Sequence, residues 1–177
     1  MSFDGVYAAY PAYKDGVGNI VIEIRENGPH EVAQCFTTYK KHWAESCGRD
    51  WQQMIRESGV IVGKRHNHVV LLSRTCTLLP IKMRTPRIKD DGANGYVCVE
   101  KIVELVTCDK GTCIIMKNGV EFVTKTHRKT IEIDIRRSRA LKNDFILRDK
   151  NFVEELVCRL LTNGRDEEKT QGSIFSE

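Results

Sequence analysis

The chain has 177 residues, of which 41% are hydrophobic and 29% charged, so it is large enough to bury a core as one globular domain. It contains no apolar run of the length that a bilayer span requires, and its first residues lack a secretory signal, so we expect a cytoplasmic protein without membrane contact. The seven cysteines are odd in number and form no CxxC pair, which excludes a disulfide scaffold.

The net charge of +4 is unevenly distributed along the chain. Residues 60–150 hold 19 basic and 10 acidic side chains, whereas the two ends of the chain are acidic. The segment from Val60 to Lys89 contains seven Lys or Arg residues and no Asp or Glu, and a second basic stretch follows from Lys125 to Lys142. This pattern predicts an anionic partner, most commonly nucleic acid.

The first half of the chain predicts strands around one helix. A turn at residues 15–19 precedes a β-branched strand from Ile20 to Arg25. Apolar residues then recur every four positions, which predicts a helix from about Thr38 to Ser58 with a possible break near Cys47-Gly48-Arg49. Short strands and a basic loop are expected between residues 60 and 89.

The second half carries the clearest strand pattern. We expect a long strand from Tyr96 to Thr107, a strand from Cys113 to Lys117 and a returning strand from Val120 to Lys125. Asn118-Gly119 is a typical two-residue hairpin turn, so these strands predict a three-stranded antiparallel meander. Residues 126–147 fit either a strand or a helical stripe, and the pattern does not decide between them.

The C-terminal region predicts an amphipathic helix. Asn151 is a candidate N-cap, and one broad apolar face extends from Phe152 to Leu161 before Gly164. Residues 166–177 show no apolar period and predict a disordered acidic tail. The whole pattern predicts one α+β domain over residues 1–165, with an antiparallel meander, a helix in the N-terminal half and this C-terminal helix.

The sequence shows no catalytic or cofactor motif. It lacks a phosphate-binding glycine loop, a nucleophile elbow and a dinucleotide fingerprint, so we expect a protein that is not an enzyme and binds no cofactor. Cys108 and Cys113 flank a tight turn, but they lack a nearby histidine pair. Buried thiols are therefore favoured over a zinc site, and we expect no metal.

The basic segments contain the expected DNA contacts. Lysines neutralise phosphates, and an arginine-bearing loop such as Lys82 to Arg87 suits a narrow A·T-rich minor groove, with Arg84 and Arg87 as the inserting residues. The first set of candidates comprises Lys64, Arg65, Arg74, Lys82, Arg84, Arg87 and Lys89, and the second set comprises Arg128, Lys129, Arg136 and Arg137.

The order of these features resembles the ComK family of competence transcription factors over residues 15–147. The most specific segments are Glu45-Ser-Cys47, Gly95-Tyr96-Val97 through Glu104-Leu105, and Ile114 to Gly119. The resemblance implies a bacterial transcriptional activator that binds A·T-rich promoter DNA through the minor groove as a homodimer or higher homo-oligomer. It also implies a C-terminal region open to an adaptor for regulated proteolysis.

Two alternatives stay open. Residues 80–160, notably Val99 to Leu105 and Cys113 to Thr126, also look like the LytTR DNA-binding domain. The Lys-Pro-Pro-Ile element of the ComK family is replaced here by His66 to Val70, which also permits a protein-interaction module, such as an anti-activator, that has lost DNA binding.

Overall fold

The computed structural model describes Phe3, residues 5–63, 68–88 and 91–171, with residues 158–171 described as backbone only. In chain order the described elements are β1 (Val6–Lys14), β2 (Gly18–Arg25), β3 (Gly28–Val32), α1 (Phe36–Ser46), α2 (Trp51–Val62), β4 (Val70–Ser73), β5 (Cys76–Lys82), β6 (Asn94–Cys98), a 3-10 turn (Val99–Lys101), β7 (Ile102–Cys108), β8 (Gly111–Met116), β9 (Glu121–Thr124) and α3 (Arg128–Gln171).

The strands form two antiparallel sheets. The larger sheet has six strands in the order β3-β2-β1-β6-β5-β4, and the smaller has three strands in the order β7-β8-β9. The α+β class and the three-stranded meander predicted from the sequence are therefore confirmed. The strand predicted from Ile20 to Arg25 is also confirmed, as part of β2.

Both faces of the larger sheet are covered. Helices α1 and α2 pack their aromatic side chains, including Tyr39, Trp43 and Trp51, against one face. On the other face Leu79, Ile81 and Val97 pack with side chains of the smaller sheet and of α3. Burial on both sides explains why the residues from Val70 to Leu72 in β4 and from Leu78 to Ile81 in β5 are apolar without alternation.

The helix predicted from Thr38 to Ser58 is two helices. The break falls where the sequence permitted it, because Gly48 adopts a positive φ of 68° after α1. Asp50 then begins the second helix, since its side chain accepts a hydrogen bond of 2.7 Å from the Gln53 amide.

The single strand predicted from Tyr96 to Thr107 is wrong. Strand β6 ends at Cys98 because it pairs with β1 and β5 in the larger sheet, whereas β7 pairs with β8 in the smaller one. The 3-10 turn carries the chain from one sheet to the other. A local strand pattern contains no sign of this exchange of partners.

Residues 126–147, which fitted either a helix or a strand, lie mostly in α3. The helix start expected at Asn151 and its end expected before Gly164 are wrong, because α3 continues through both positions. Residues 166–171 of the expected tail belong to α3, and residues 172–177 lie outside the described residues.

The chain divides into two compact units, residues 1–142 and 143–177. The first unit contains both sheets, α1, α2 and the beginning of α3, and the second contains the rest of α3. None of the helices among the described residues combines the length and the hydropathy of a membrane-spanning segment.

Candidate nucleic-acid interface

The described part of the loop between β5 and β6 contains two of the predicted DNA contacts, Arg84 and Arg87. The two strands pair as far as Lys82 and Asn94, and the pairing continues into the loop through hydrogen bonds from the Met83 and Arg84 amides to the Ala93 carbonyl, 2.9 and 3.3 Å long. The first residues of the loop are therefore held by the larger sheet.

Tyr13, at the end of β1, is the platform for this loop. The guanidinium carbons of Arg84 and Arg87 lie 4.0 and 4.4 Å from the centroid of its ring. Its hydroxyl accepts a 2.8 Å hydrogen bond from the Arg87 amide and donates a 2.5 Å hydrogen bond to Asp91. One aromatic side chain thus fixes both arginines and both sides of the loop.

The two arginines differ in how much of their hydrogen-bonding capacity the protein uses. Arg84 is half-buried, and it donates from Nε to the Gly92 carbonyl at 2.8 Å and from Nη1 to the Asn19 amide oxygen at 2.9 Å. Arg87 is exposed, and stacking on a ring leaves the edge of a guanidinium available for donation. Arg84 therefore orders the loop, while the guanidinium group of Arg87 is exposed to solvent and available to a partner.

The link between β9 and α3 brings the second basic stretch to the same place. The Lys125 amide donates to the Lys82 carbonyl at 2.7 Å, and the Lys82 amide donates to the Thr126 hydroxyl at 2.8 Å. The Lys125 ammonium donates to the Thr85 hydroxyl at 2.7 Å. Lys82 and Lys125, which are 43 residues apart in sequence, thus meet in one group, the basic cluster of Lys82, Arg84, Arg87 and Lys125.

The carboxylate of Asp91 lies beside the basic cluster, where it contacts Tyr13 and Asn19. The hydrogen bond from Tyr13, with further support from Asn19 and the charge of Arg84, lowers the pKa of Asp91. Asp91 is therefore ionised at neutral pH and offsets one of the four cations. The described residues of this region keep an excess of positive charge.

The predicted cations of α3 are arranged differently. Arg128 pairs with Glu132 and Arg137 pairs with the buried Asp134, each at 2.8 Å. Lys129 and Arg136 are exposed. Two of these four candidates therefore have a carboxylate partner within one turn of their own helix.

The remaining candidates do not join the basic cluster. Arg74 lies in the turn before β5, at the opposite end of that strand from Lys82 and about 20 Å away at the usual rise of a strand. Lys64, Arg65 and Lys89 lie outside the described residues.

Sequence reasoning missed the residues that hold the loop. Lys125 was visible as the start of the second basic stretch, but Tyr13 and Asn19 carried no signal, because the β1–β2 hairpin places them beside the loop. Cys108 and Cys113, which were expected as buried thiols, are free but only half-buried, and no metal-binding group is found among the described residues.

Comparison with known proteins assigns no family. No protein-family model, no curated protein and no solved structure matches the chain. Any assignment of function therefore depends on the residues and their geometry.

Proposed function

We propose that this protein is a non-enzymatic, sequence-specific DNA-binding regulator of transcription, similar to the competence activators of the ComK family. The observation that carries the proposal is the convergence of Lys82, Arg84, Arg87 and Lys125 at one end of the larger sheet. The acid-free segment from Val60 to Lys89 and the six free cysteines among the described side chains fit a protein that works beside DNA in the cytoplasm.

A rigid base for the cations supports DNA as the partner. Binding to DNA costs side-chain entropy unless the cations are already ordered, and the stacking of Arg84 and Arg87 on Tyr13 supplies that order. An arginine on an ordered loop can enter an A·T-rich minor groove, whose narrow walls increase the negative potential. We propose that Arg87 enters the groove and that Arg84 orders the loop that carries Arg87.

The lysines of the basic cluster suit a second role. Lys82 and Lys125 are exposed and lie on either side of the contact between the loop and the β9–α3 link. Flexible ammonium groups neutralise phosphates without reading sequence. We propose that these lysines set the salt dependence of binding, with Lys129 and Arg136 as further phosphate contacts.

The second compact unit suggests how the regulator associates with proteins. Its helix exposes four large apolar side chains within two turns, and this apolar face consists of Phe152, Val153, Leu156 and Val157. Large exposed apolar groups on one helix favour a protein partner. We propose that residues 143–157 serve homodimer formation or docking of a proteolytic adaptor.

The same apolar face favours a second candidate function. A protein-interaction module that keeps the fold but has lost DNA binding would use the exposed helix and would leave the basic cluster as an ordinary solvated surface. The two functions differ in their response to salt, because phosphate contacts release counterions and apolar contacts do not.

The direct test is a fluorescence-anisotropy titration of an A·T-rich duplex and a length-matched G·C-rich duplex at about 50 and 200 mM salt. The proposal predicts tighter binding to the A·T-rich duplex and an affinity that falls by orders of magnitude at the higher salt concentration. Absence of binding to both duplexes at low salt would reject DNA binding and leave the interaction module. The variant Arg74→Gln removes a cation that is distant from the basic cluster, and it should bind both duplexes like wild type.

A further inference from the structure

A cavity of about 380 Å³ opens between the start of α1 and the loop after β5. Its lining includes the aromatic rings of Phe36 and Tyr96 on one side, and Arg84 and Asn19 on the other. Lys40 enters it from the second turn of α1. The volume lies at the lower end of the range for sites that bind metabolites.

Lys40 has an unusual environment for a cation. Its ammonium lies 5.5, 5.3 and 5.9 Å from the ring centroids of Phe36, Trp51 and Tyr96. All three rings are buried, and burial lowers the pKa of Lys40. Among the described side chains, none forms an ion pair or a hydrogen bond with this ammonium.

Such a charge is costly without a counterion. Removing an ammonium from water disfavours the charged form, and contacts with aromatic faces recover only part of the cost. The aromatic side of the cavity is apolar because Phe36 and Tyr96 are buried, and this burial raises the pKa of Tyr96 to about 12. A bound anion would supply the missing charge.

The opposite wall offers a second cationic group. Arg84 uses Nε and Nη1 for Gly92 and Asn19, and neither bond involves its Nη2. Asp91 also lines the cavity, but its carboxylate is engaged by Tyr13 and Asn19. The cavity therefore holds one cation, Lys40, that has no ion pair with a described side chain, and a second cation, Arg84, that uses only part of its hydrogen-bonding capacity.

We propose that this cavity binds a small organic oxyanion, a carboxylate or a phosphate ester, through Lys40 and Arg84. The anionic group lies between the ammonium and the guanidinium, and the organic part contacts the rings of Phe36 and Tyr96. The assignment does not depend on DNA binding, because it is measured without DNA. A failure of the DNA titration would leave it standing, and the reverse also holds.

The first test is isothermal titration of the full-length protein with inorganic phosphate and with acetate, the simplest members of the two anion classes. We expect saturable binding of at least one of them with one site per chain. Lys40→Met, which keeps an unbranched side chain one atom shorter, should weaken binding about tenfold or more, the usual effect of losing a hydrogen bond to a charged group. Lys41→Met is the matched control, because Lys41 is exposed on the same helix, and it should bind like wild type.

Two results would overturn the proposal. One is the absence of saturable binding of either anion at tens of millimolar. The other is equal binding by wild type and by a Lys40→Met protein whose circular dichroism spectrum is that of wild type. Binding of phosphate alone or of acetate alone supports the site and identifies the class of anion.

A second measurement uses the wild-type chain and so does not depend on the folding of a variant. Amines are acylated with a limiting amount of reagent, with and without saturating phosphate, and Lys40 and Lys41 are compared by mass spectrometry. Phosphate should protect Lys40 and leave Lys41 unchanged. Equal labelling of Lys40 in both conditions, or no labelling in either, would exclude an accessible anion site.

Discussion

The two basic stretches of this chain look alike in sequence and differ in space. In α3 the cations alternate with acids at helical spacing, so that Arg128 pairs with Glu132 and Arg137 with Asp134. In the loop after β5 the arginines stack on an aromatic ring instead, and Lys125 joins them from a distant part of the chain.

The difference shows that charge along a sequence is a poor measure of the charge that a partner meets. A helix returns to the same face every three or four residues, so its acids neutralise its own bases. A loop at the end of a sheet has no such periodicity, and tertiary contacts decide its neighbours. The basic cluster is therefore the stronger candidate for DNA contact, and each variant below tests this distinction.

The largest effect is expected for Arg84→Ala combined with Arg87→Ala. Loss of both guanidinium groups should weaken binding to A·T-rich DNA by about 2 to 4 kcal/mol, because each arginine is proposed to support a groove contact. Anisotropy titration measures the loss. Arg128→Ala with Arg137→Ala is the control pair from α3, because both arginines pair with carboxylates of their own helix, and an equal loss in that pair would contradict the distinction.

A smaller loss is expected for Tyr13→Leu. This change removes the ring beneath both arginines, and each stacking contact is worth about 0.5 to 1 kcal/mol at an exposed site. Affinity for A·T-rich DNA should fall by roughly tenfold, whereas Tyr13→Phe, which keeps the ring, should retain most of it. If the leucine variant bound like the phenylalanine variant, the platform would have no role.

Lys82→Gln with Lys125→Gln tests the proposed phosphate contacts. The slope of log affinity against log salt concentration should become shallower by about 2, one for each lysine, while the preference for A·T-rich DNA stays unchanged. Titration over a series of salt concentrations gives the slope. An altered base preference with an unchanged slope would assign the lysines to sequence recognition.

Arg137→Met should affect stability more than binding. Asp134 is 2% exposed, and loss of Arg137 removes one of the groups that compensate its buried charge. Because Arg137 itself is 39% exposed, we expect a reduction of only about 1 kcal/mol in the free energy of unfolding by denaturant. DNA affinity of the folded variant should remain at the wild-type value, and a large loss of affinity would place Arg137 in the interface.

Local patterns were sufficient to predict the meander. They did not predict that the chain leaves the larger sheet after β6 and enters the smaller sheet at β7. Asn118-Gly119 predicted a hairpin at the right place, but the connection is not the expected two residues. The Met116 amide donates to the Val120 carbonyl, which leaves Lys117 to Gly119 as a three-residue connection with Gly119 at a positive φ of 79°. The apolar run from Tyr96 onward looked continuous, although β6 and β7 have different pairing partners. The strand β1 had no recognisable alternation, since most of it is buried on both faces.

The basic residues of the candidate site could be predicted from the sequence, but the residues that hold them in place could not. The sequence was enough to propose Lys82, Arg84 and Arg87 as a group, because they are neighbours in an acid-free segment. Tyr13 could not be inferred, because the antiparallel register of β1 with β2 and β6 brings it to the loop. Contacts of this kind depend on the whole fold and leave no local signal.

The salt dependence of DNA binding tests the central claim most directly. Wild type is compared with a loop variant, in which Lys82, Arg84, Arg87 and Lys125 become Gln, and a helix variant, in which Arg128, Lys129 and Arg136 become Gln. If the basic cluster contacts phosphate or groove, the slope of log affinity against log salt concentration should fall by about 3 to 4 in the loop variant and by about 2, one each for Lys129 and Arg136, in the helix variant. Equal slopes in wild type and the loop variant, with both proteins folded, would contradict the assignment of DNA binding to this cluster.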